Sequence, residues 1–246
     1  MNKIALVTGA SSGIGQACAR ILANNNFDLI ICGRRQDRLD SLKQELSSKC
    51  SVRTLNFDVR DKAEVDNVLS NIGAIDVLLN NAGNAHGLSS IEDGSLDDWD
   101  AMIDINVKGL LYVSKSIIPG MIERKSGHIV NIGSIAGKEV YANGNVYCGS
   151  KHAVDAINNG MRMDLNKHGI KVSQISPGLV ETEFSVVRFK GDSEKAAKVY
   201  DGIDALQADD IAELFLFMVT RPAHVNLSDA IVLPTAQASS SMVRRD

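Results

Sequence analysis

The chain has 246 residues, with 26 Lys and Arg against 30 Asp and Glu, which gives a formal net charge of −4. A hydrophobic fraction of 44% with 23% charged residues is typical of a globular domain and excludes disorder, collagen-like repeats and coiled coils. Because a mildly acidic chain attracts polyanions poorly, we expect no nucleic-acid partner. The longest apolar stretch, at 211–219, is too short to span a bilayer, so we expect no membrane partner.

The cysteines and histidines show no metal-binding or redox spacing. Cys18, Cys32, Cys50 and Cys148 form no Cys-x-x-Cys pair, and the five histidines form no ligand pattern. We therefore predict no metal site. The apolar run near the start of the sequence has four residues, too few for the core of a signal peptide. These features predict a cytoplasmic protein.

Short apolar runs alternate with segments of helical period along the chain. The predicted strands are 4–7, 27–32, 52–57, 75–79, 128–132, 172–175 and 230–233. The predicted helices lie near 14–24, 36–48, 62–71, 97–124, 146–168 and 208–219. Several strands are apolar nearly throughout, as expected when helices cover both faces of a parallel sheet. The pattern predicts one α/β domain over 1–246, with a doubly wound Rossmann-type parallel sheet. The polar segment near 180–205 interrupts the alternation, and we interpret it as a substrate lid.

The first predicted strand ends in the glycine-rich run 8–15, Thr-Gly-Ala-Ser-Ser-Gly-Ile-Gly, directly before a helix. Glycines allow an anion to approach the backbone closely, and the helix N-terminus supplies free N–H donors. The position after the first strand favours a dinucleotide pyrophosphate over an ordinary turn, although the spacing is neither G-x-G-x-x-G nor a P-loop. The predicted cofactor-binding residues in this run are Gly9, Ser11, Ser12, Gly13, Ile14 and Gly15.

Two arginines follow the second predicted strand, which ends at Gly33. An acidic residue at this position would bind the ribose 2′-hydroxyl of NAD. The chain has Arg34 and Arg35 instead, and a guanidinium binds phosphate through a planar fork. This predicts NADP as the cofactor. The alternative, two surface arginines at a sheet edge, is less favoured because of the glycine run upstream. We interpret most of the surrounding charged cluster, which includes Arg38, as a solvated helix face.

Beginning with the run 8–15, the chain resembles the short-chain dehydrogenase/reductase family over essentially its whole length. Asn-Asn-Ala-Gly at 80–83 matches a family segment, and Asn106, Ser134, Tyr147 and Lys151 match the family's catalytic tetrad. The resemblance implies hydride transfer with a nicotinamide cofactor, a contact from Lys151 to the nicotinamide ribose and a water-holding role for Asn106. It implies a further set of cofactor-binding residues: Asp58, Val59, Asn81, Ala82, Gly83, Tyr147, Lys151, Pro177, Gly178, Val180 and Thr182.

The residues of the tetrad suggest their own chemistry. Tyr147 and Lys151 are four apart, which places them on one face of a helix. A nearby lysine cation stabilises a phenolate, so we expect the pKa of Tyr147 to be lowered, and Tyr147 to act as general base or acid. Ser134 follows a strand and can hydrogen-bond the substrate oxygen. Cys148 is interpreted as a packing residue, because no histidine or second cysteine adjoins it.

A narrower resemblance appears in the last third of the chain. Segments 177–192 and 222–226 are similar to the NADP-dependent 3-hydroxy acid dehydrogenases. This likeness implies small substrates such as L-serine, L-allo-threonine or 3-hydroxypropionate, and a homotetramer. We expect Arg188 to pair with the substrate carboxylate, although a solvated surface arginine is an equal alternative. A surface position is the favoured interpretation for His86.

The sequence is also compatible with two other functions. One is a general carbonyl or 3-oxoacyl reductase of the same family, which the scarcity of basic surface clusters makes less favoured. The other, of a different class, is a catalytically silent NADP(H)-sensing regulator. A filled tetrad argues against the regulator.

Overall fold

A computed structural model describes residues 2–246, which form seven strands in one parallel sheet. The strands are β1 (Lys3–Val7), β2 (Phe27–Gly33), β3 (Val52–Asn56), β4 (Val77–Asn80), β5 (His128–Ile132), β6 (Lys171–Pro177) and β7 (Asp229–Val232). The helices are α1 (Gly13–Ala23), α2 (Gln36–Leu46), α3 (Lys62–Leu69), α4 (Leu96–Ile103), α5 (Leu110–Arg124), α6 (Asn145–Leu165), α7 (Phe184–Arg188), α8 (Ser193–Lys198) and α9 (Ala208–Val219).

The sheet order is β3-β2-β1-β4-β5-β6-β7, which confirms the predicted doubly wound Rossmann-type fold. The direction of winding reverses between β1 and β4, which pair in parallel with Val7 beside Leu79. The chain segments that leave these two strands diverge at this point, so a crevice opens at the carboxyl edge of the sheet.

Side chains of the central strands alternate between two apolar layers. In β1, Ala5 and Val7 pack into the layer beneath α1, α2 and α9, whereas Leu6 packs into the layer beneath α3 and α5. In β4, Leu79 and Leu78 divide in the same way. Burial on both faces explains why these strands are continuously apolar in sequence, and it fixes the strand ends that bear the site.

The predicted helix at 97–124 differs from the structure in its middle. α4 and α5 are joined by a π-helical segment, Asp104–Gly109, that contains Asn106. At the start, the Ser95 hydroxyl accepts a hydrogen bond from the backbone N–H of Asp98 at 3.5 Å. A π-helical turn widens the backbone locally and often accompanies functional sites. Apolar periodicity does not reveal it, because the flanking helices share one continuous pattern.

The segment 180–205 contains α7 and α8 and lies against the cleft described below. The N–H of Gly87 donates to the carbonyl of Arg188 at 2.9 Å, which ties α7 to the connection after β4. At the other end of the segment, Arg245 donates to the carbonyls of Val199 (3.1 Å) and Asp201. The last residues of the chain therefore brace the segment that we interpret as a lid.

None of the helices in residues 2–246 has both the length and the apolar character needed to cross a membrane. Over the same residues, no three His, Cys, Asp or Glu side chains cluster as metal ligands.

A buried histidine at the start of β5 predicts acid sensitivity of the fold. Nε2 of His128 lies 2.8 Å from the hydroxyl of Ser173, which donates to Asn226 at 2.9 Å. Burial, followed by the charges of Lys171 and Lys3, lowers the pKa of His128 to about 3. An unfolded histidine titrates near 6.5, so below that pH the unfolded chain binds a proton that the folded protein excludes. The free energy of unfolding should therefore fall by up to about 1.4 kcal/mol per pH unit between roughly pH 6.5 and 3.

Urea unfolding between pH 7 and 4.5 tests this expectation. In His128→Gln, the free energy of unfolding should depend less steeply on pH, by up to the slope that binding of one proton causes. His224→Gln, at an exposed histidine, should leave the pH dependence of the wild type unchanged. An equal slope in wild type and His128→Gln would show that His128 does not limit stability in acid.

Candidate active site

A cleft of about 450 Å³ opens at the carboxyl edge of the sheet, where β1 and β4 separate. Its walls are the glycine-rich run 8–15, the segments that follow β2, β4, β5 and β6, and helix α7. The sequence-predicted residues that line it are Gly9, Ser11, Ser12, Gly13, Ile14, Arg34, Arg35, Asp58, Val59, Ala82, Asn81, Gly83, Ser134, Tyr147, Lys151, Pro177, Gly178, Val180, Thr182 and Arg188. Gly15 and Asn106 lie behind this lining.

Glycine is required at both ends of the run 8–15. Gly9 has a φ of +65°, which other residues adopt only with strain. A Cβ on Gly15 would lie 2.5 Å from the carbonyl oxygen of Gly9 and 2.4 Å from the Asn81 side chain. The run therefore packs tightly against its surroundings, and the start of α1, whose first N–H groups have no partner within the helix, lines the cleft. Such a cradle fits the pyrophosphate of a dinucleotide.

Asn81 and Thr8 join the glycine-rich run to the segment after β4. Nδ2 of Asn81 donates to the carbonyls of Thr8 (2.9 Å) and Gly9 (3.2 Å). The Thr8 hydroxyl accepts from the N–H groups of Asn81 and Ala82, both at 3.0 Å. The Asn81 amide is thus engaged with the protein backbone, and it shapes the cradle through those bonds.

The two arginines after β2 occupy different positions. Arg34 is more than half exposed and lies 3.8 Å from Asp58. Arg35 turns towards the glycine-rich run, where it donates to the hydroxyls of Ser12 (2.7 Å) and Ser11 (3.1 Å) and pairs with Glu183 at 2.9 Å. Arg35 therefore places a guanidinium at the corner of the cleft where the sequence predicts a 2′-phosphate.

Tyr147 and Lys151 lie on one face of α6, and Ser134 follows β5 opposite them. Nζ of Lys151 donates to the carbonyl of Ile132 at 2.9 Å. The Ser134 hydroxyl accepts from the N–H of Ala136 at 3.1 Å. These three side chains, like that of Asn106, the fourth member of the predicted tetrad, are buried. Strand β5 and helix α6 thus bring together residues that are 17 apart in sequence.

The expected lowering of the Tyr147 pKa is wrong. Burial raises the pKa of Tyr147, and the hydrogen bond from Ser134 and the charge of Arg188 only partly oppose it. Burial also lowers the pKa of Lys151 to about 8, so the ammonium is predominantly charged at pH 7 but is bonded to a backbone carbonyl. Desolvation outweighs the expected cation effect because both groups sit beneath the protein surface.

Asn106 is held on three sides. Its Nδ2 donates to the carbonyl of Asn84 (2.8 Å) and the Ser150 hydroxyl (3.0 Å), and its Oδ1 accepts from the N–H of Asn84 at 2.9 Å. The π-helical segment turns this side chain inward from the α4–α5 helix. Gly83 permits the approach, since a Cβ there would lie 2.8 Å from Oδ1 of Asn106.

Arg188 of α7 lies over three aromatic rings that line the cleft, those of Tyr141, Tyr147 and Phe184, which we call the aromatic floor. Its guanidinium carbon is 5.0 Å from the ring centre of Tyr147 and 5.7 Å from those of Tyr141 and Phe184. It donates to the Tyr141 hydroxyl, and its Nε is buried without a hydrogen-bond partner. The alternative of a solvated surface arginine is therefore wrong. A buried donor without a partner beside the predicted catalytic tyrosine is suited to an anionic ligand.

His86 and Cys148 do not line the cleft. His86 is half-buried and lines a separate small cavity beside Trp99, where burial lowers its pKa. Cys148 is buried, and burial raises the pKa of its thiol, which keeps it protonated. The packing interpretation of Cys148 agrees with this environment.

Sequence reasoning missed Tyr141, Glu183 and the pairing of Arg38. Tyr141 lines the cleft and accepts from Arg188, while Glu183 joins Arg35 and Arg38. The spacing of Arg35 and Arg38, three apart at the start of α2, indicates a shared helix face. No local pattern points to Glu183, which is about 150 residues away in sequence.

Residues 3–193 match the short chain dehydrogenase family. The NADP-dependent 3-hydroxy acid dehydrogenase YdfG of Salmonella typhi is 45% identical over 244 residues, covering 97% of this chain and 98% of that protein. Sulfoacetaldehyde reductase 2 of Chromohalobacter salexigens is 42% identical over 252 residues, covering 100% of both.

A solved structure described as the closed form of serine dehydrogenase complexed with NADP⁺ is also similar. It superposes with a TM-score of 0.92 at 42% identity, covering 99% of this chain and 100% of that one. The family match, the relatives and the superposition agree with the geometry of the cleft. The chain therefore belongs to the short-chain dehydrogenase/reductase family.

Proposed function

We propose that this protein is an NADP-dependent oxidoreductase that interconverts a small 3-hydroxy acid and its carbonyl form. L-serine, L-allo-threonine and 3-hydroxypropionate are the candidate alcohols, and malonic semialdehyde is the product expected from 3-hydroxypropionate. The observation that carries the proposal is the Arg188 guanidinium, with its unpartnered Nε, above the ring of Tyr147.

The residues of the cleft support NADP as the cofactor. The glycine cradle fits the pyrophosphate, and Arg35 with Arg34 offers guanidinium groups for the 2′-phosphate. Lys151, which lines the cleft, would contact the ribose hydroxyls on the nicotinamide side, as the family resemblance implies. NADP, when bound, supplies or accepts the hydride. The relatives named NADP-dependent and the structural neighbour with NADP⁺ support the same choice.

Proton transfer falls to Tyr147. Ser134 and Tyr147 both line the cleft, and Ser134 would hydrogen-bond the substrate oxygen beside Tyr147. Tyr147 removes the alcohol proton in oxidation and returns it in reduction. The Lys151 ammonium, one helical turn away on α6, would stabilise the phenolate. Asn106 and Asn84 would hold water for the proton's further path.

Specificity for a substrate that carries an acid group would come from Arg188 in the lid segment. A small hydroxy acid has little apolar surface, so a charge-assisted pair with Arg188 must supply most of its recognition. The relatives named for 3-hydroxy acids and for sulfoacetaldehyde act on small molecules that each carry an acid group. We also propose that residues 1–246 form one domain with a lid at 180–205 and that the protein is cytoplasmic. The resemblance to the 3-hydroxy acid dehydrogenases further implies a homotetramer.

The test is the initial rate of NADPH formation over a panel of alcohols, with NAD as the control cofactor. The acids are L-serine, L-allo-threonine, 3-hydroxypropionate and 3-hydroxyisobutyrate, with isethionate as a sulfonate. Neutral secondary alcohols complete the panel. We expect activity on the acids with NADP strongly preferred. Equal rates on neutral alcohols would favour the general carbonyl reductase, and no turnover at all would favour the regulator.

A further inference from the structure

An ion-pair cluster at the mouth of the cleft joins the start of the lid segment to the helix after β2. Glu183 directly precedes α7, and its two carboxylate oxygens accept from Nη1 of Arg35 (2.9 Å) and Nη1 of Arg38 (2.5 Å). The three side chains are 40–43% exposed. A cluster at the rim, open to solvent, can exchange one anion for another.

Apart from its pair with Glu183, Arg35 donates its side-chain hydrogen bonds to serines of the glycine-rich run. Its Nη2 donates to the hydroxyls of Ser12 (2.7 Å) and Ser11 (3.1 Å), and its Nε lies 3.3 Å from the Ser11 hydroxyl. The remaining edge, at Nη1, is the one that Glu183 holds. A phosphate bound at this corner needs the same edge of the guanidinium, because carboxylate and phosphate oxygens accept from it in the same geometry.

Both anions cannot keep this position together. The hydrogen bond from Arg38, the largest influence on Glu183, lowers the pKa of that carboxyl, so Glu183 is charged at neutral pH. A phosphate placed against Arg35 would face this carboxylate at close range, and like charges at that distance repel strongly.

We propose that Glu183 and the 2′-phosphate of NADP compete for Arg35, so that binding of the phosphorylated cofactor releases the start of the lid segment. The inference rests on the proposed NADP dependence. Glu183 then couples the cofactor to the lid segment: the 2′-phosphate of NADP must displace it from Arg35, whereas NAD has no group that does so. Five residues further on lies Arg188, so the exchange also frees the helix that carries the proposed carboxylate contact.

Calorimetric binding of two cofactor fragments, 2′,5′-ADP and 5′-AMP, tests the competition without turnover. Glu183→Gln removes the charge of the competitor but keeps the shape of the side chain. It should bind 2′,5′-ADP about three- to tenfold more tightly than wild type, the size that two half-exposed ion pairs allow. Its affinity for 5′-AMP should not change. Glu181→Gln removes an exposed carboxylate two residues away and should behave as wild type.

Amide hydrogen exchange of 180–190 supplies the second readout. In wild type, 2′,5′-ADP should speed exchange in this segment and 5′-AMP should not, and in Glu183→Gln exchange should already be fast without either fragment. Protection of the segment by 2′,5′-ADP in wild type would overturn the proposal, since it would mean that Glu183 stays in place. An equal gain in affinity for Glu181→Gln and Glu183→Gln would also overturn it, as a general charge effect.

Failure of the NADP proposal has a separate signature. If wild type and both variants bind 2′,5′-ADP no better than 5′-AMP, the 2′-phosphate is not recognised and the competition fails with it. If wild type prefers 2′,5′-ADP but Glu183→Gln binds it no more tightly, NADP dependence stands and only the role of Glu183 is refuted.

Discussion

Replacing Tyr147 by Phe is expected to lower kcat by about 10²–10⁴-fold, because the substitution removes the proposed proton-transfer group and leaves the ring in place. The ring packs against Phe184 at 5.7 Å and beneath Arg188 at 5.0 Å, contacts that phenylalanine keeps. Binding of NADPH, followed by its fluorescence, should therefore change little. Initial rates and cofactor titrations on the same preparation separate the two effects.

Tyr112→Phe is the matched control, since Tyr112 is a partly buried tyrosine of α5 outside the cleft lining. It should retain wild-type rates. Retention of more than about a tenth of the wild-type kcat by Tyr147→Phe would rule out Tyr147 as the main general acid or base. Loss of turnover together with intact cofactor binding would also show that the wild-type protein is an enzyme and not a silent sensor.

Arg188→Ala is expected to change which substrate the enzyme prefers. With 3-hydroxypropionate, kcat/KM should fall by about thirtyfold or more, because truncating one partner of a desolvated charge pair typically costs about 2–5 kcal/mol. With 1,3-propanediol, which replaces the carboxylate by a neutral CH₂OH, the loss should be small. The ratio of the two kcat/KM values is the decisive measurement, since damage to the aromatic floor would lower both.

Two further variants separate charge from packing. Arg188→Lys keeps the charge but not the planar fork, so it should recover part of the preference for the acid. Arg221→Ala removes an arginine that also stacks on an aromatic ring, Phe217 at 4.0 Å, but lies outside the cleft lining, and it should leave both substrates unaffected. An equal loss on acid and diol in Arg188→Ala would refute the carboxylate pairing.

Much of the architecture was predictable from local patterns. The nearly continuous apolar residues of strands β1 and β4 predict a sheet that is buried on both faces. The glycine-rich run 8–15 predicts the crevice beside the first strand. These predictions succeed because strand period, turn chemistry and burial act over a few neighbouring residues. The winding of the sheet follows from the βαβ alternation, since parallel crossovers have one preferred hand.

The electrostatics of the cleft depend on contacts that local sequence does not encode. The Tyr147–Lys151 spacing predicts a shared helix face, yet burial raises the pKa of Tyr147, because desolvation depends on everything packed around α6. Likewise, local sequence does not reveal the π-helical turn between α4 and α5, where Asn106 donates to the carbonyl of Asn84.

By itself, the sequence determined the doubly wound fold, the position of the glycine-rich run at the crevice and the family, because each depends on short runs with fixed spacing. Only the tertiary structure decided that Arg188 is an aromatic-stacked group with a buried Nε and that Glu183 holds Arg35. The physical reason is that charges exert their effects through distance and desolvation, and the fold brings together residues such as Arg35 and Glu183 from distant parts of the chain.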